Sequence, residues 1–272
     1  MVVGLAKYQN QQEAFPLDKK TLQNVALRSF LSGISFNSES SDSIGWLWAI
    51  QPALRKIHSD EEDCKLAMGH NLEHCSASSP LAPLAMGVVL SLEQQKCDLE
   101  TIRSARSIAT YTCDAIGKML VYYLFIPLLA LSIIESARNG SIMAVAIYCV
   151  VLFLLQVILR FVSIQYGYKH GMRAIEKLQK NAGTLKKSMM IAGSFMLGAI
   201  LVALGSGYAM QIAMSQDNSS IPTIAKLLPG VLTVVMGLLL HYLLVKKNFS
   251  MGKCVIVVVL VSFIIALVQN II

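Results

Sequence analysis

The chain has 272 residues, 55% of them hydrophobic and only 14% charged, with a net charge of +7. A soluble domain carries about 25% charged and about 45–50% apolar residues, so the charge here cannot cover an ordinary solvent-facing surface. Composition therefore excludes a simple soluble protein and points to a polytopic membrane protein, all-α because helices satisfy their own backbone in lipid.

The first segment, MVVGLAKYQNQQEAF, lacks the apolar core and small-residue cleavage site of a secretory signal, and none is expected. A helix is predicted from Asp18, its cap, with an apolar face of Leu22, Val25, Ala26 and Phe30 at helical spacing. Such a helix suits a membrane interface or an arm packed on a partner subunit. The Ser-rich, acidic stretch SFNSESSDSIGW follows at 35–46. Composition alone makes it a linker.

Two apolar patches flank the next charged segment, Ile44–Leu54 and Leu81–Leu92, each broken by Gly or Pro (Gly45, Pro52; Pro83, Gly87). Each is shorter than the roughly 17–25 residues that a crossing helix needs, so both are predicted as re-entrant or interfacial segments. Irregular backbone at membrane depth requires protein or water to satisfy it, and interrupted apolar segments mark binding sites in transporters. In that setting the serines, Asn37 and Glu39 gain a second reading, as the wall of a polar cavity. Between the patches, SDEEDCKLAMGHNLEH reads as a solvated helix starting at Ser59, with acids in its first turn.

Five longer apolar runs follow: Met119–Ile134, Ile142–Ile164, Met189–Met214, Leu227–Val245 and Cys254–Val268. These predict about five transmembrane helices. The chain accordingly divides into a tail (1–16), a cytoplasmic or interfacial helical part with re-entrant segments (17–110) and a transmembrane bundle (111–272). The basic residues Lys169, Arg173, Lys177, Lys180, Lys186 and Lys187 crowd the 165–188 connection, which the positive-inside rule places in the cytoplasm. The connection 215–223 has no Lys or Arg and is predicted outside. Nucleic-acid binding, the other reading of the basic stretch, lacks interleaved aromatics.

The six cysteines are scattered without a CxxC pair, so neither a disulfide framework nor a zinc site is expected. His70 and His74 have metal-ligand spacing on one predicted helix face, but no third ligand accompanies them. No metal, cofactor or catalytic residue is assigned.

The order of these features resembles the IID membrane subunit of the mannose–fructose–sorbose class of bacterial phosphotransferase systems. The resemblance rests on Leu27-Arg28-Ser29, Asn37, Glu39, Gly45-Trp46, Pro52-Ala53-Leu54-Arg55 and Leu72-Glu73. It continues through Gly87-Val88-Val89-Leu90-Ser91-Leu92-Glu93, Gly167-Tyr168 with Gly171, and LLPGVLTVVMGLLLHYLLVKK. It implies a subunit that forms a sugar-translocation unit with a IIC subunit in the cytoplasmic membrane, in a trimer of such pairs. Phosphorylation of a hexose or amino sugar would come from separate IIA and IIB proteins that carry phosphate on histidines. The implied substrate-binding residues are Asn37, Glu39, Glu73, Glu93 and Asp114.

The departures lie in polar loops. Where the family carries Gly-x-Gly-Asp-x-x-Phe-Trp, this chain reads YTCDAIGKML, keeping Asp114 but with Cys113 for the second Gly and Gly117-Lys118 for the aromatic pair. That turn is expected to take another shape, because glycine reaches conformations that larger residues resist. The family's Asn-Thr-x-Pro is Ser76-Ala77-Ser78-Ser79 here. These changes leave an alternative open, a degenerate paralogue that assembles, regulates or acts as a surface receptor without transporting.

A cysteine at Asn181, in a background whose native cysteines are serine, tests the topology. It should react with a permeant thiol reagent and resist an impermeant one added to intact cells. Labelling by the impermeant reagent from outside would reverse the orientation.

Overall fold

The computed structural model describes residues 7–76 and 79–215, with the helical residues Val235 and Tyr242. The predicted spans Leu227–Val245 (apart from Val235 and Tyr242) and Cys254–Val268, and nearly all of the 215–223 connection, lie outside the described residues. Two compact units divide the chain, residues 1–196 and 197–272, and the description that follows concerns the first.

The described chain is all helical apart from isolated bridges. Its frame is a pair of long helices. The first runs from α5 (Leu99–Lys118) through a widened π segment (Met119–Phe125) into α6 (Ile126–Arg138), which is 40 residues in all. The second is α7 (Ile142–His170), 29 residues. Both are long and apolar enough to cross a membrane. None of the apolar stretch of α7 is buried; Ile147, Val150, Phe153 and Ile158 face outward. A core helix of a soluble protein would bury that surface, so among the described residues α7 leaves it open to lipid or to other membrane helices.

Two expectations change here. The stretch 111–120, read as a turn of altered shape, is no turn: helix α5 passes through it and through residue 110 without a break. The basic stretch 165–188 is a helical corner rather than a loop. Helix α7 ends at His170, Gly171 turns the chain at φ +53°, and α8 (Met172–Ser215) begins at once.

Against this frame pack helices too short to cross alone. Helix α1 (Lys19–Arg28) buries Leu22, Val25 and Ala26 as its pattern predicts, but against protein rather than lipid. A 3-10 segment (Ser29–Ser35) and a turn carry the chain into α2 (Ser43–Ile57), which returns alongside α1. Leu17 donates its backbone N–H to Tyr168 near the end of α7, at 2.8 Å, while Arg160 donates to the carbonyl and hydroxyl of Ser29 at 2.9 and 2.8 Å. The rings of Phe30 and Phe153 lie 6.1 Å apart. Thus α1 runs along α7 from its basic end to about its middle, and the α1–α2 pair forms a hairpin whose tip is the 35–43 stretch.

Helix α3 (Glu61–Asn71) starts two residues later than expected, with Asp60 as cap accepting from the backbone of Glu62 and Asp63. It is not fully solvated, since Asp63, Ala67, His70 and Asn71 are buried. Helix α4 (Ala82–Gln94) is buried almost throughout and lies along the end of α7.

Glycines let these elements touch backbone to backbone. A Cβ on Gly87 would sit 2.4 Å from the Ile164 carbonyl oxygen, one on Gly167 2.2 Å from that of Leu84, and one on Gly45 1.9 Å from that of Ser32. Gly69, on α3, has open space around it. Alanine at Gly87 or Gly167 should therefore lower stability in detergent by about 1–3 kcal/mol or more. The double variant should lose less than the sum, because both sit on one contact. Gly69→Ala should be neutral or gain about 0.5–1 kcal/mol. Thermal unfolding of the four proteins checks the set.

Candidate functional site

The five residues singled out from the sequence fall in two places, one at the hairpin tip and one at its base. At the tip, the Asn37 side chain is folded inward. Its Oδ1 accepts from the backbone N–H of Glu39 and Ser40 at 3.1 and 2.7 Å, and its Nδ2 donates to the Ser40 hydroxyl at 2.9 Å. This Asx-type closure is what Asn does well in turns. Glu39 is left exposed on the outside of the turn.

Ser41, at φ +58°, bridges to Cys75 of the next connection, and the Asp42 N–H donates to the Cys75 carbonyl at 3.0 Å. The loop between α3 and α4 thus meets the first hairpin tip. A few residues on, the Ser79 hydroxyl donates to the Cys113 carbonyl at 2.9 Å, which brings α5 to the same place. Asp114, on that turn of α5, pairs with Lys118 at 2.8 Å. Burial first of all, and then Asp42 and Asp114 against an opposing Arg106, push the Cys75 thiol up to about 12. The 37–43 turn, residues 73–76 with Ser79, and the 110–118 face of α5 therefore converge on one polar locus.

Glu73 stands at the edge of this locus. Its carboxylate is forked between Arg103 at 2.8 Å and Arg106 at 3.0 Å, and Arg106 also donates to the His70 carbonyl. Through that arginine it connects to Glu93, the other member of the set.

Glu93 lies at the opposite end of α2 from the tip, with no exposed surface. One carboxylate oxygen accepts from His70 Nε2 at 2.9 Å and Asn71 Nδ2 at 3.2 Å; the other accepts from the Tyr8 hydroxyl at 2.7 Å and His58 Nε2 at 3.0 Å. Trp46 donates to Asn71 Oδ1 at 3.1 Å, and Lys96 donates to His58 Nδ1 at 2.6 Å. The Lys96 bond leaves Nδ1 as an acceptor and so assigns the His58 ring proton to Nε2. Burial by itself would raise the Glu93 pKa, but the hydrogen bonds from His58 and His70 and the charge of His70 outweigh it and hold it at about 2. Burial and the adjacent Glu93 charge push the Tyr8 phenol up, which keeps it a donor. The arm carrying Tyr8 is tied down again by Asp63, which accepts from the backbone of Gln9 and Asn10 at 2.8 and 3.0 Å.

Several of these groups escaped sequence reasoning. His58, His70 and Tyr8 were findable from one signal, an acid closing an otherwise apolar run, which demands buried donors. Arg160 sits 6% exposed inside the Ile142–Ile164 run, its guanidinium 4.6 Å over the Phe30 ring. An ionisable residue within a span is a functional or structural marker in itself. His70 and His74 share no helix face, since α3 ends at Asn71, leaving His70 buried and His74 exposed. Among the described residues no three His, Cys, Asp or Glu side chains are placed to hold a metal.

The chain matches the family described as "PTS system mannose/fructose/sorbose family IID component" over residues 16–271. It belongs to this family. It is similar to the mannose-specific EIID component of Escherichia coli K12, 23% identical over 248 residues, covering 85% of this chain and 87% of the relative. The fructose permease IID component of Bacillus subtilis is 25% identical over 246 residues, covering 85% and 89%. The sorbose-specific EIID component of Lacticaseibacillus casei is 22% identical over 227 residues, covering 78% and 80%. A chain of the cryo-EM structure of the mannose transporter ManYZ with microcin E492 shares the fold at TM-score 0.55 and 21% identity, over 93% of this chain and 97% of that one. A structure titled only as a membrane protein matches at TM-score 0.69 and 21% identity, over 92% and 96%.

Glu93→Gln should cost about 3–5 kcal/mol at neutral pH, the range for breaking a buried charged cluster by removing one partner. Because the folded pKa is depressed below the ordinary 4.5, the carboxylate's contribution is complete above that value and is lost as pH falls through the folded value. The gap between wild type and the Gln variant should therefore narrow as the pH is lowered below about 4.5. Melting curves of both proteins across that range measure it.

Proposed function

We propose that this chain, as the IID subunit of a mannose-type phosphotransferase permease, builds half of a sugar path whose other half is a IIC subunit. The observation that carries the reading is the meeting of the two re-entrant connections at Ser41–Cys75, beside an apolar helix whose outer surface is bare. Polar backbone and carboxylates at that depth have a cost of several kcal/mol unless wetted or paired. An aqueous, sugar-accepting cavity shared with IIC supplies the water.

In this reading Asn37 shapes the turn and Glu39 offers the acceptor to sugar hydroxyls. Glu73 and Asp114 line the same locus with their basic partners. Glu93 supports the site from the hairpin base and does not touch the sugar. The substrate class is a hexose or amino sugar, in keeping with the mannose, fructose and sorbose in the names of the relatives. Phosphate comes from IIA and IIB proteins; among the described histidines, His58 and His70 are engaged with Glu93, and His170 bonds the Tyr166 carbonyl. The chain is multi-pass in the bacterial cytoplasmic membrane, within a trimer of IIC–IID pairs. The similarity to transport subunits over most of the chain favours transport over the degenerate-paralogue alternative.

Glu39→Gln in the assembled IIC–IID complex should weaken sugar binding about ten- to a hundred-fold, the worth of one hydrogen bond to a charged group, with co-purification intact. Unchanged binding would make the 35–46 stretch a connector; loss of assembly would make Glu39 structural. Equilibrium binding of labelled sugar, alongside subunit recovery, separates these results.

A further inference from the structure

The outer side of the first hairpin carries an apolar groove of about 270 Å³ between its two arms, lined by Leu31, Ile34 and Ser35 on one and Ile44, Gly45 and Trp48 on the other. Around it Ile34 is 77%, Phe36 66% and Ile44 50% exposed, which no water-facing surface tolerates as one patch. At the groove's lower end the Arg28 guanidinium lies 5.0 Å over the Trp48 ring and spends one N–H on the Trp48 carbonyl at 3.2 Å. Among the described residues no carboxylate pairs with Arg28. Its remaining donors form an unengaged planar fork, the geometry that suits a phosphate.

Depth makes the combination specific. The next residue, Ser29, is held by Arg160, which is 10 residues from the end of α7 at His170 and 18 from its start at Ile142. At about 1.5 Å per residue these are about 15 and 27 Å. With a hydrocarbon core of about 30 Å starting near Ile142, Arg160 and Arg28 fall at the cytoplasmic border, where lipid phosphates lie. The groove then leads from Arg28 towards Ile34 and Ile44, into the hydrocarbon. Below the border the same hairpin exposes Lys19, Lys20 and Arg55, a basic surround that favours anionic headgroups.

We propose that this groove is a binding site for one anionic glycerophospholipid of the cytoplasmic leaflet. Arg28 takes the phosphate, Trp48 fixes Arg28 and closes the groove's lower end, and an acyl chain lies between the 3-10 segment and α2. The groove borders the 35–46 stretch, so its test reads lipid binding directly and not transport.

The experiment uses the delipidated IIC–IID complex in detergent, titrated with palmitoyl-oleoyl phosphatidylglycerol or the matching phosphatidylcholine, with bound lipid read by native mass spectrometry. Wild type should retain phosphatidylglycerol in preference to phosphatidylcholine. Arg28→Gln should weaken that retention about ten-fold or more, Arg28→Lys less, and Ile34→Asn should weaken both lipids. Co-purification with IIC and an unchanged melting temperature certify the Arg28 variants as folded. Equal phosphatidylglycerol retention by folded Arg28→Gln overturns the proposal. So does a photo-crosslinker at Ile34 that captures the IIC subunit in native membranes, which would make the groove a subunit contact; capture of lipid supports it.

Discussion

The buried Glu93 carboxylate is the interaction on which the rest of this fold depends. A carboxylate without water is untenable unless its lone pairs are filled, and here four donors fill them from separate parts of the chain. Tyr8 belongs to the N-terminal arm, His58 ends α2, and His70 and Asn71 end α3. Helix α2 has an apolar face of its own, but Ala67 is the sole fully buried apolar residue of α3, so apolar burial alone places α3 poorly. The charge thus supplies specificity that a greasy base would lack. Its network also runs outward, through Lys96 on one side and through the His70 carbonyl, Arg106 and Glu73 on the other.

From that fixed base the hairpin extends along α7, and its helices are too short to cross a membrane alone. A two-helix excursion ends in backbone that nothing in lipid can satisfy, so the tip must bring its own partners. Asn37 closes the turn, Ser41 and Asp42 bond the Cys75 backbone, and Ser79 bonds that of Cys113. On the way up, Arg160 satisfies the end of α1 at Ser29, where unpaired carbonyls and the helix dipole call for a cation. The charged group inside α7 has a mechanical reason for being there. It is the fastening between the span and the hairpin.

Much of this was legible in residue order. Dozen-residue apolar patches broken by Gly and Pro argue for helices too short to cross a membrane alone, and α2 and α4, at 15 and 13 residues, are short helices. The 3.6-residue period found the face of α1, though not what covers it, since a stripe of Leu22, Val25 and Ala26 looks the same against lipid or protein. The Glu93 network stayed hidden because its closest bond joins residues 85 apart in the chain, and no local pattern encodes such a distance. His70 with His74 shows the converse error. A correct spacing means nothing when the helix ends at Asn71 between the two. The uninterrupted helix through 111–118 was missed for a different reason, because the family pattern at that place argued for a turn.

That last departure is not isolated. Two places where this chain leaves the family pattern, Ser79 in one loop and Cys113 with Gly117 on α5, pack on one another. The Ser79 hydroxyl bonds the Cys113 carbonyl, and a Cβ on Gly117 would fall 2.0 Å from that same hydroxyl oxygen. Gly117 is therefore the residue that admits Ser79, and each change makes sense only with the other. Lys118, where the family has an aromatic, gives Asp114 an ion pair one helical turn away, which lets a carboxylate persist at depth in a helix that no longer turns. Meanwhile Gly45, Gly87, Gly167, Tyr168 and Glu93, which hold the hairpins to α7 and to their base, stand where the family has them.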